Sequence, residues 1–224
     1  MGIGPPVVVK VWGAWACFTR PEMKVERVSY PVLTPSAARG ILEAIFWKPE
    51  FAWQVREIGV LRPIRPFSIL RNEVTARAAF ITARRWIEPG GGYFAEADRT
   101  QRHTLALRDV AYLIRAEVAL KAHADAEEAK YRAQFRRRVA RGQCHHMPYL
   151  GCREFAAAFA EPEGTERPIA LSADLGRMLF DLRYAADGSG RGTPRFFPAR
   201  LDHGVLRVPP ALYRVEVAAC SCSG

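Results

Sequence analysis

A cluster of basic side chains in the second half of the chain carries the strongest chemical signal in the sequence. No Asp or Glu occurs from Ala129 to Arg153, and this segment holds seven basic residues: Lys130, Arg132, Arg136, Arg137, Arg138, Arg141 and Arg153. His145 and His146 lie in the same segment. Like charges four residues apart destabilise a helix, and the pairs 132/136 and 137/141 have no acid within the segment to compensate them. The pattern therefore predicts a surface for a polyanion, of which a phosphate backbone is the commonest.

The alternative interpretation is a helix face that carboxylates from elsewhere in the fold neutralise. Of the 33 basic residues 28 are Arg, whose planar donor fork suits phosphate and stacks on bases. Arginine-rich composition alone is also typical of chains encoded by GC-rich DNA. The distribution is what favours nucleic acid, because the acid-free segment stands apart from an otherwise mixed chain.

The cysteines do not form a metal-binding pattern. Structural zinc sites bring cysteine pairs two to four residues apart together with a matching second half. The cluster Cys144, His145, His146 and Cys152 lacks that spacing, and Cys17, Cys220 and Cys222 lie far from it in the sequence. We therefore expect no metal, no cofactor and reduced thiols.

Hydrophobic periodicity predicts the elements that position the basic segment. The predicted helices are 36–48, which Thr34 and Pro35 begin, and 126–141; the predicted strands are 7–12, 51–61, 104–120 and 155–159. Residues 67–103 are interpreted as an arm, with a strand or hairpin limb at 72–86 and a turn at Pro89–Gly92. Short strands are expected in 175–184 and 195–217.

The second helix carries the basic cluster. Tyr131, Phe135 and Val139 repeat every four residues and predict one buried stripe, with the arginines covering the remaining surface. Gly142 is expected to end the helix, and 143–151 to form a loop.

The order of these elements predicts an α+β fold. Strand–helix–strand, an arm, strand–helix–strand and further strands fit a ferredoxin-like, RNA-recognition-type domain over residues 1–160 with a β-hairpin arm. A small C-terminal antiparallel β domain follows over 161–224. The aromatic signature of the RNA-recognition module is absent, so RNA binding is expected on the basic helix and loops.

Composition excludes several classes of protein. The chain has 224 residues, 49% hydrophobic and 25% charged, with a formal net charge of +10, which is typical of a folded protein and not of a disordered one. No run of 18 apolar residues predicts a membrane span, and the first residues lack the build of a signal peptide. We expect a cytoplasmic protein without membrane contact.

Five segments of the chain resemble the CRISPR-associated Cas-five proteins of subtype I-C, the "d" branch. They are WGAWACFTRPE (12–22), VSY (28–30), TPSAARGILEAIFWKP (34–49), RNEV (71–74) and GQCHHMPYLGCREF (142–155). The resemblance extends from about residue 7 to about residue 160, and from 183 onward it is only general.

The resemblance implies a metal-independent endoribonuclease that cuts the precursor CRISPR RNA within its repeat stem-loop. It also implies that the protein stays on the 5′ handle beside the backbone and large subunits of a type I-C interference complex, and that it binds duplex DNA. Such cleavage needs a base that removes the proton of a ribose 2′-OH and a cation that stabilises the charge on the phosphoryl oxygens. The products are a 2′,3′-cyclic phosphate and a 5′-OH.

The resemblance also suggests which residues act. Lys130 is expected to stabilise the phosphate, and Tyr131 or His146 to transfer the proton, since an imidazole suits proton transfer near neutral pH. Some relatives carry Tyr where this chain has Phe46, which is expected to stack on RNA or to pack. The expected RNA-binding residues are Arg132, Arg136, Arg137, Arg138, Arg141, Gly151, Arg153, Phe46 and Lys48. Some relatives also carry Lys-His-aromatic at the start of the basic helix, where this chain has Ala129-Lys130-Tyr131 and no His. The loss of that Tyr and of that His favours the alternative function, a non-catalytic RNA- or DNA-binding subunit.

Overall fold

One large sheet organises the molecule. The computed structural model describes residues 4–23, 25–75, 79–87, 92, 94–185 and 187–218. Within them the chain forms a mixed α/β fold dominated by an almost entirely antiparallel sheet with few helices. The strands are β1 (Val7–Ala16), β2 (Arg27–Val28), β3 (Phe51–Val60), β4 (Pro66–Val74), β5 (Arg99–Leu120), β6 (Ala158–Ala160), β7 (Ala173–Tyr184), β8 (Gly192–Asp202) and β9 (Val205–Arg207). The helices are α1 (Pro35–Ile45), α2 (Phe80–Arg85), α3 (Glu128–Ala140) and α4 (Ala211–Ala218).

The long strand β5 is the centre of the sheet. The main path of the sheet runs β6-β1-β5-β3-β9-β8-β7, and β2 and β4 both pair with β5 outside this path. With 22 residues, β5 is long enough to pair with β1 and β3 along its second half and with β4 along residues 99–107. The β4–β5 hairpin is the observed form of the predicted arm.

Alternation along β1 decides which side of the sheet becomes the core. Val7, Val9 and Val11 are fully buried, whereas Lys10 and Trp12 point to the opposite face and are only half-buried. The helices α1 and α3 cover the core side, because both contact β-strands of the centre and each other. The sheet thus holds the two helices side by side on one face.

The first helix begins where the sequence predicts and ends earlier. The Thr34 hydroxyl accepts a hydrogen bond from the backbone N–H of Ala37 at 3.3 Å, and Pro35 occupies the first helical turn. The helix ends at Ile45, three residues earlier than predicted. The predicted stripe of α3 is confirmed, since Tyr131, Phe135 and Val139 are all buried.

Three of the predicted strands differ from the structure. The limb predicted over 72–86 is wrong beyond Val74, since the chain forms the short helix α2 there. The predicted strand at 155–159 is reduced to β6. The strands predicted over 195–217 end at Arg207, because Pro209 and Pro210 cannot donate to a ladder and preset the backbone for α4. The predicted turn at Pro89–Gly92 lies outside the described residues except for Gly92.

None of the described helices is long and apolar enough to cross a membrane.

Candidate nucleic-acid interface

The exposed side of α3 carries cations without partners. Lys130, Arg136, Arg137 and Arg141 are exposed and form no ion pair or side-chain hydrogen bond with any described residue. Because the stripe of Tyr131, Phe135 and Val139 faces the core, the helix period places these cations toward solvent. An exposed, uncompensated set of this kind attracts a polyanion.

Two arginines predicted to bind RNA are instead used within the fold. The Arg132 side chain is mostly buried, pairs with Glu128 at 3.1 Å and donates to the carbonyl of Pro5 at 3.0 Å. The Arg138 guanidinium donates to the carbonyl of Ile45 at 2.9 Å. The prediction of RNA contacts for Arg132 is therefore corrected by the carboxylate of Glu128, which lies just outside the acid-free segment. Arg138 is half-buried and its donor Nη1 is occupied.

Phe46 packs inside the protein and does not present its ring to a base. Its side chain is 1% exposed and lies 5.6 Å from the ring of Phe51, with the Arg138 guanidinium 5.3 Å from its centroid. Of the two roles considered, packing is the one found, and the RNA-stacking role is corrected. The neighbouring Trp47 is 54% exposed and lies beside the exposed Lys48.

Trp47 is thus the residue that the sequence interpretation missed at this end of α1. The helix α1 ends at Ile45 and the backbone of Phe46 is extended, so Trp47 lies outside the helix. The helix period therefore gave no signal for its exposure.

The loop after α3 brings two histidines to the C-terminal end of α1. The backbone N–H of His145 donates to the carbonyl of Ala44 at 2.7 Å, and that of His146 points to the same carbonyl at 3.4 Å. Both side chains are exposed, and their rings lie 5.8 Å apart. His146 therefore lies at the end of α1 that Arg138 contacts.

The glycine of the loop is required by the fold. Gly151 has a φ of +86°, and a Cβ at this position would collide with the carbonyl of Cys17. The backbone N–H of Cys17 also donates to the carbonyl of Leu150 at 3.0 Å. Gly151, expected among the RNA-binding residues, is thus needed for the close approach of the loop to the backbone of Cys17. Arg153, two residues further on, is exposed without an ion pair among the described residues.

Two of the described cysteines, Cys17 and Cys152, form a buried pair. Cys17 and Cys152 are buried and adjacent, and Arg27 donates to the Sγ of Cys152 at 3.4 Å. The hydrogen bond from the Cys17 thiol, followed by the charge of Arg27, lowers the pKa of Cys152, and the same pairing raises the pKa of Cys17. Among the described residues, no three His, Cys, Asp or Glu side chains are grouped as metal ligands; Cys220 and Cys222 lie outside that range.

A second group of polar side chains lies at the N-terminal end of α3. The hydroxyl of Tyr131 donates to Asp125 at 3.3 Å, while its ring packs on Phe51 at 5.1 Å. Burial raises the pKa of Tyr131, and the carboxylates of Glu50 and Asp125 add to this effect. Tyr131 is therefore a protonated phenol that donates a hydrogen bond.

His123 belongs to this same group, although sequence reasoning gave it no partner. Its Nε2 lies 3.1 Å from the carbonyl of Pro49, and the ring is exposed. A carbonyl only accepts, so the neutral ring carries its proton on Nε2 and leaves Nδ1 with a free lone pair. The two residues are 74 positions apart in the sequence, so no local pattern could predict their contact.

The predicted catalytic residues are divided between the two ends of α3. Lys130 and Tyr131 lie in its first turns with His123, whereas His146 lies at the end of α1 that Arg138 contacts. Eight residues separate Lys130 from Arg138, which is about 12 Å along the helix axis. The structure thus places Lys130, Tyr131 and His123 toward the first turns of α3, and His146 toward its last turns.

The comparisons with known proteins fit this fold. The family model for CRISPR-associated protein (Cas5), in its Cas5d form, matches residues 7–209. A protein of Thermus thermophilus named CRISPR pre-crRNA endoribonuclease Cas5d is 51% identical over 93% of this chain and 95% of its own length. A protein of the same name from Mannheimia succiniciproducens is 45% identical over 92% of this chain and 96% of its own. The chain belongs to the Cas5d branch of the CRISPR-associated Cas5 family.

Solved structures agree on the fold alone. A crystal structure of a CRISPR-associated protein superimposes with a TM-score of 0.66 at 23% identity, covering 93% of this chain and 94% of that one. The protein SMU1763c of Streptococcus mutans, described as functionally uncharacterized, gives a TM-score of 0.65 at 20% identity, with coverage of 94% and 95%. A chain of a CRISPR RNA-guided surveillance complex gives 0.50 at 13% identity, with 92% of each chain covered.

Proposed function

We propose that this chain is a CRISPR pre-crRNA endoribonuclease. The observation that carries the proposal is the set of exposed cations on α3, Lys130, Arg136, Arg137 and Arg141, which no described carboxylate neutralises. A phosphate backbone supplies the missing negative charge. The two relatives named above, which cover nearly the whole chain, carry that activity in their names.

The proposed reaction is attack of a ribose 2′-OH on the adjacent phosphorus. A base removes the 2′-OH proton, the new P–O bond closes a 2′,3′-cyclic phosphate, and the bond to the 5′-oxygen breaks. A proton delivered to that oxygen gives a 5′-OH. Every step uses side chains of this chain, and we propose that the reaction needs no metal.

Lys130 is assigned to the phosphoryl oxygens. Its ammonium group is exposed and unpaired, in the first turns of α3. A fixed cation aimed at oxygens on which charge develops lowers the barrier, because it is worth more in the transition state than in the ground state.

His123 is assigned as the general base, and His146 is the alternative. The bond to Pro49 orients His123 and leaves Nδ1 free to accept a proton. Its position at the same end of α3 as Lys130 supports the assignment. His146 is favoured only by its exposure. Tyr131, protonated and already donating to Asp125, suits delivery of a proton to the 5′-oxygen better than removal of one.

The remaining RNA contacts are proposed to come from two places. Arg136, Arg137 and Arg141 hold the phosphate backbone along α3. Lys48, Arg153 and the exposed ring of Trp47 extend the same surface beyond the helix. Aromatic rings stack on unpaired bases, so Trp47 replaces Phe46 in that role.

We also propose a ferredoxin-like unit within residues 1–160. The alternation β1-α1-β3, β5-α3-β6 and the neighbour order β6-β1-β5-β3 support it. Residues 161–224, with the antiparallel strands β7, β8 and β9, are proposed as the second domain, joined to the first through the β9–β3 pairing.

The proposed cellular setting follows from the substrate. The protein would act in the cytoplasm on the repeat stem-loop of the precursor CRISPR RNA, keep the 5′ handle, and enter a type I-C interference complex with its backbone and large subunits. Duplex DNA binding is part of the same proposal. The fold shared with a chain of a surveillance complex supports this setting.

The alternative function is a subunit that holds the RNA without cutting it. The buried Phe46, at the position where some relatives carry a Tyr, favours this alternative. Purified protein incubated with end-labelled repeat RNA in EDTA separates the two. We expect cleavage at one position, with 2′,3′-cyclic phosphate and 5′-OH ends on the products. Tight binding without products would show that the protein holds the RNA without cutting it.

A further inference from the structure

A pocket outside the two groups of polar side chains opens beside the first half of α1. It has a volume of about 270 Å³, and the residues around its mouth and floor include Phe18, Thr19, Gly40, Tyr149, Leu179 and Leu182. Three elements form its walls: α1, the strand β7 and the loop 143–151. The loop runs along α1, bonded to Ala44 at one end and packed through Gly151 at the other.

Gly40 in the middle of α1 has no explanation within the fold. A glycine inside a helix destabilises it relative to alanine. Its φ is not positive, and a Cβ built at this position meets no atom of the protein within 4 Å. Gly151 on the opposite wall is different, because a Cβ there collides with Cys17. The free space at Gly40 is therefore space left on the outside of the helix, within the pocket.

The lining of the pocket suits a flat, largely apolar group with polar edges. Phe18, Leu179 and Leu182 supply apolar surface, and Thr19, Ser36 and Tyr149 supply hydroxyls. No charged side chain lines the pocket, so it does not suit a phosphate. The nearby carboxylate of Asp181, to which Ser36 donates, is neutralised by Arg39 at 2.7 Å.

The residues around the pocket favour a polyanionic ligand that carries flat, largely apolar groups with polar edges. Tyr149 is 37% exposed, and no described residue hydrogen-bonds its hydroxyl. Arg153, two residues past the Gly151 wall, is exposed and unpaired, and the other end of the same loop carries His145 and His146. An RNA chain with a phosphate at Arg153 lies close to the pocket, because Gly151 lines the pocket two residues before Arg153.

We propose that the pocket binds one unpaired nucleobase of the RNA, stacked on Tyr149 and seated against Gly40. The proposal rests on the proposed function, since it takes the RNA substrate as given. Unpaired bases bind proteins by stacking on aromatic rings and by hydrogen bonds at their edges, which is what this lining offers. Gly40 then lets the base lie against the helix backbone at a distance that a side chain would prevent.

The test compares repeat RNA with the same RNA made abasic at each unpaired position in turn. Wild-type protein is expected to bind one of these abasic RNAs about tenfold more weakly than the intact RNA. Gly40→Ala and Tyr149→Ala should lose this discrimination and bind both RNAs with the weaker affinity, whereas Tyr149→Phe should keep it. Gly40→Ala should also melt at a higher temperature than wild type, which shows that the lost affinity is not misfolding.

Gly92→Ala is the matched control, because a Cβ there also meets nothing within 4 Å and the residue is outside the pocket. It should leave binding unchanged, and an equal loss in this variant would overturn the proposal. If Gly40→Ala and Tyr149→Ala still discriminate between intact and abasic RNA as the wild type does, the pocket proposal is wrong and the proposed function stands. Wild-type protein that binds no repeat RNA overturns both.

Discussion

The guanidinium of Arg138 donates a hydrogen bond to the backbone carbonyl of Ile45 at 2.9 Å. This bond joins the second half of α3 to the last turn of α1, whose carbonyls have no partner within the helix. The same guanidinium lies 5.3 Å from the ring centroid of Phe46. The two helices that carry the proposed site are thus fixed to each other by a residue from the basic segment itself.

Arg138→Ala is expected to destabilise the protein. The change removes a charged hydrogen bond and leaves the Ile45 carbonyl without its donor, which costs about 1.5–3 kcal/mol. Urea unfolding followed by circular dichroism measures the loss. Arg138→Lys keeps the charge without the planar fork and should recover only part of the stability. Unchanged stability in Arg138→Ala would show that the bond does not hold the helices together.

The exposed arginines of α3 should govern the salt dependence of RNA binding. Each phosphate contact contributes about 0.7–0.9 to the slope of log affinity against log salt, so Arg136→Ala with Arg137→Ala should reduce the slope by about 1.4–1.8. Arg132→Ala is the control, since Arg132 is paired with Glu128. It should lower stability and leave the slope unchanged. A double variant with the wild-type slope would place the RNA elsewhere.

Lys130→Ala should slow cleavage far more than it weakens binding. Removing one group that stabilises developing negative charge costs about 100-fold or more in the chemical step. Single-turnover rates at saturating protein measure that step, and filter binding measures the affinity. Equal losses in rate and affinity would make Lys130 a binding residue only.

The two histidine candidates can be separated by their pH–rate profiles. A general base must be neutral to act, so activity falls as pH decreases through its titration. His123→Ala should slow cleavage by about 100-fold or more and remove this acidic limb, while His146→Ala should keep it. The reverse result, a lost limb in His146→Ala alone, would move the base to the end of α1.

Hydrophobic periodicity predicted the helices and strands around the site, because it indicates which residues are buried. The stripe Tyr131, Phe135 and Val139 and the start of α1 at Thr34 and Pro35 were readable from local spacing. The pair of Glu128 and Arg132 was also within reach of local spacing, since the two residues lie four apart on the predicted helix. Local spacing could not show that the carbonyl of Ile45 accepts from Arg138, because that contact is tertiary.

The contact of His123 with Pro49 could not be predicted from local spacing either. Its partner, Pro49, belongs to the turn between α1 and β3, and only the sheet brings the two together. Phe46 and Trp47 lie past Ile45, the last residue of α1, so the helix period did not determine which of the two side chains is buried.

The most direct test of the account uses repeat RNA with a single 2′-deoxyribose at the cut site. If the chain cleaves by attack of the 2′-OH, the wild-type protein in EDTA will bind this RNA with unchanged affinity and leave it intact, while it cuts the all-ribose RNA once. Cleavage of the 2′-deoxy RNA at the same position would contradict the account, because the attacking oxygen would then come from elsewhere.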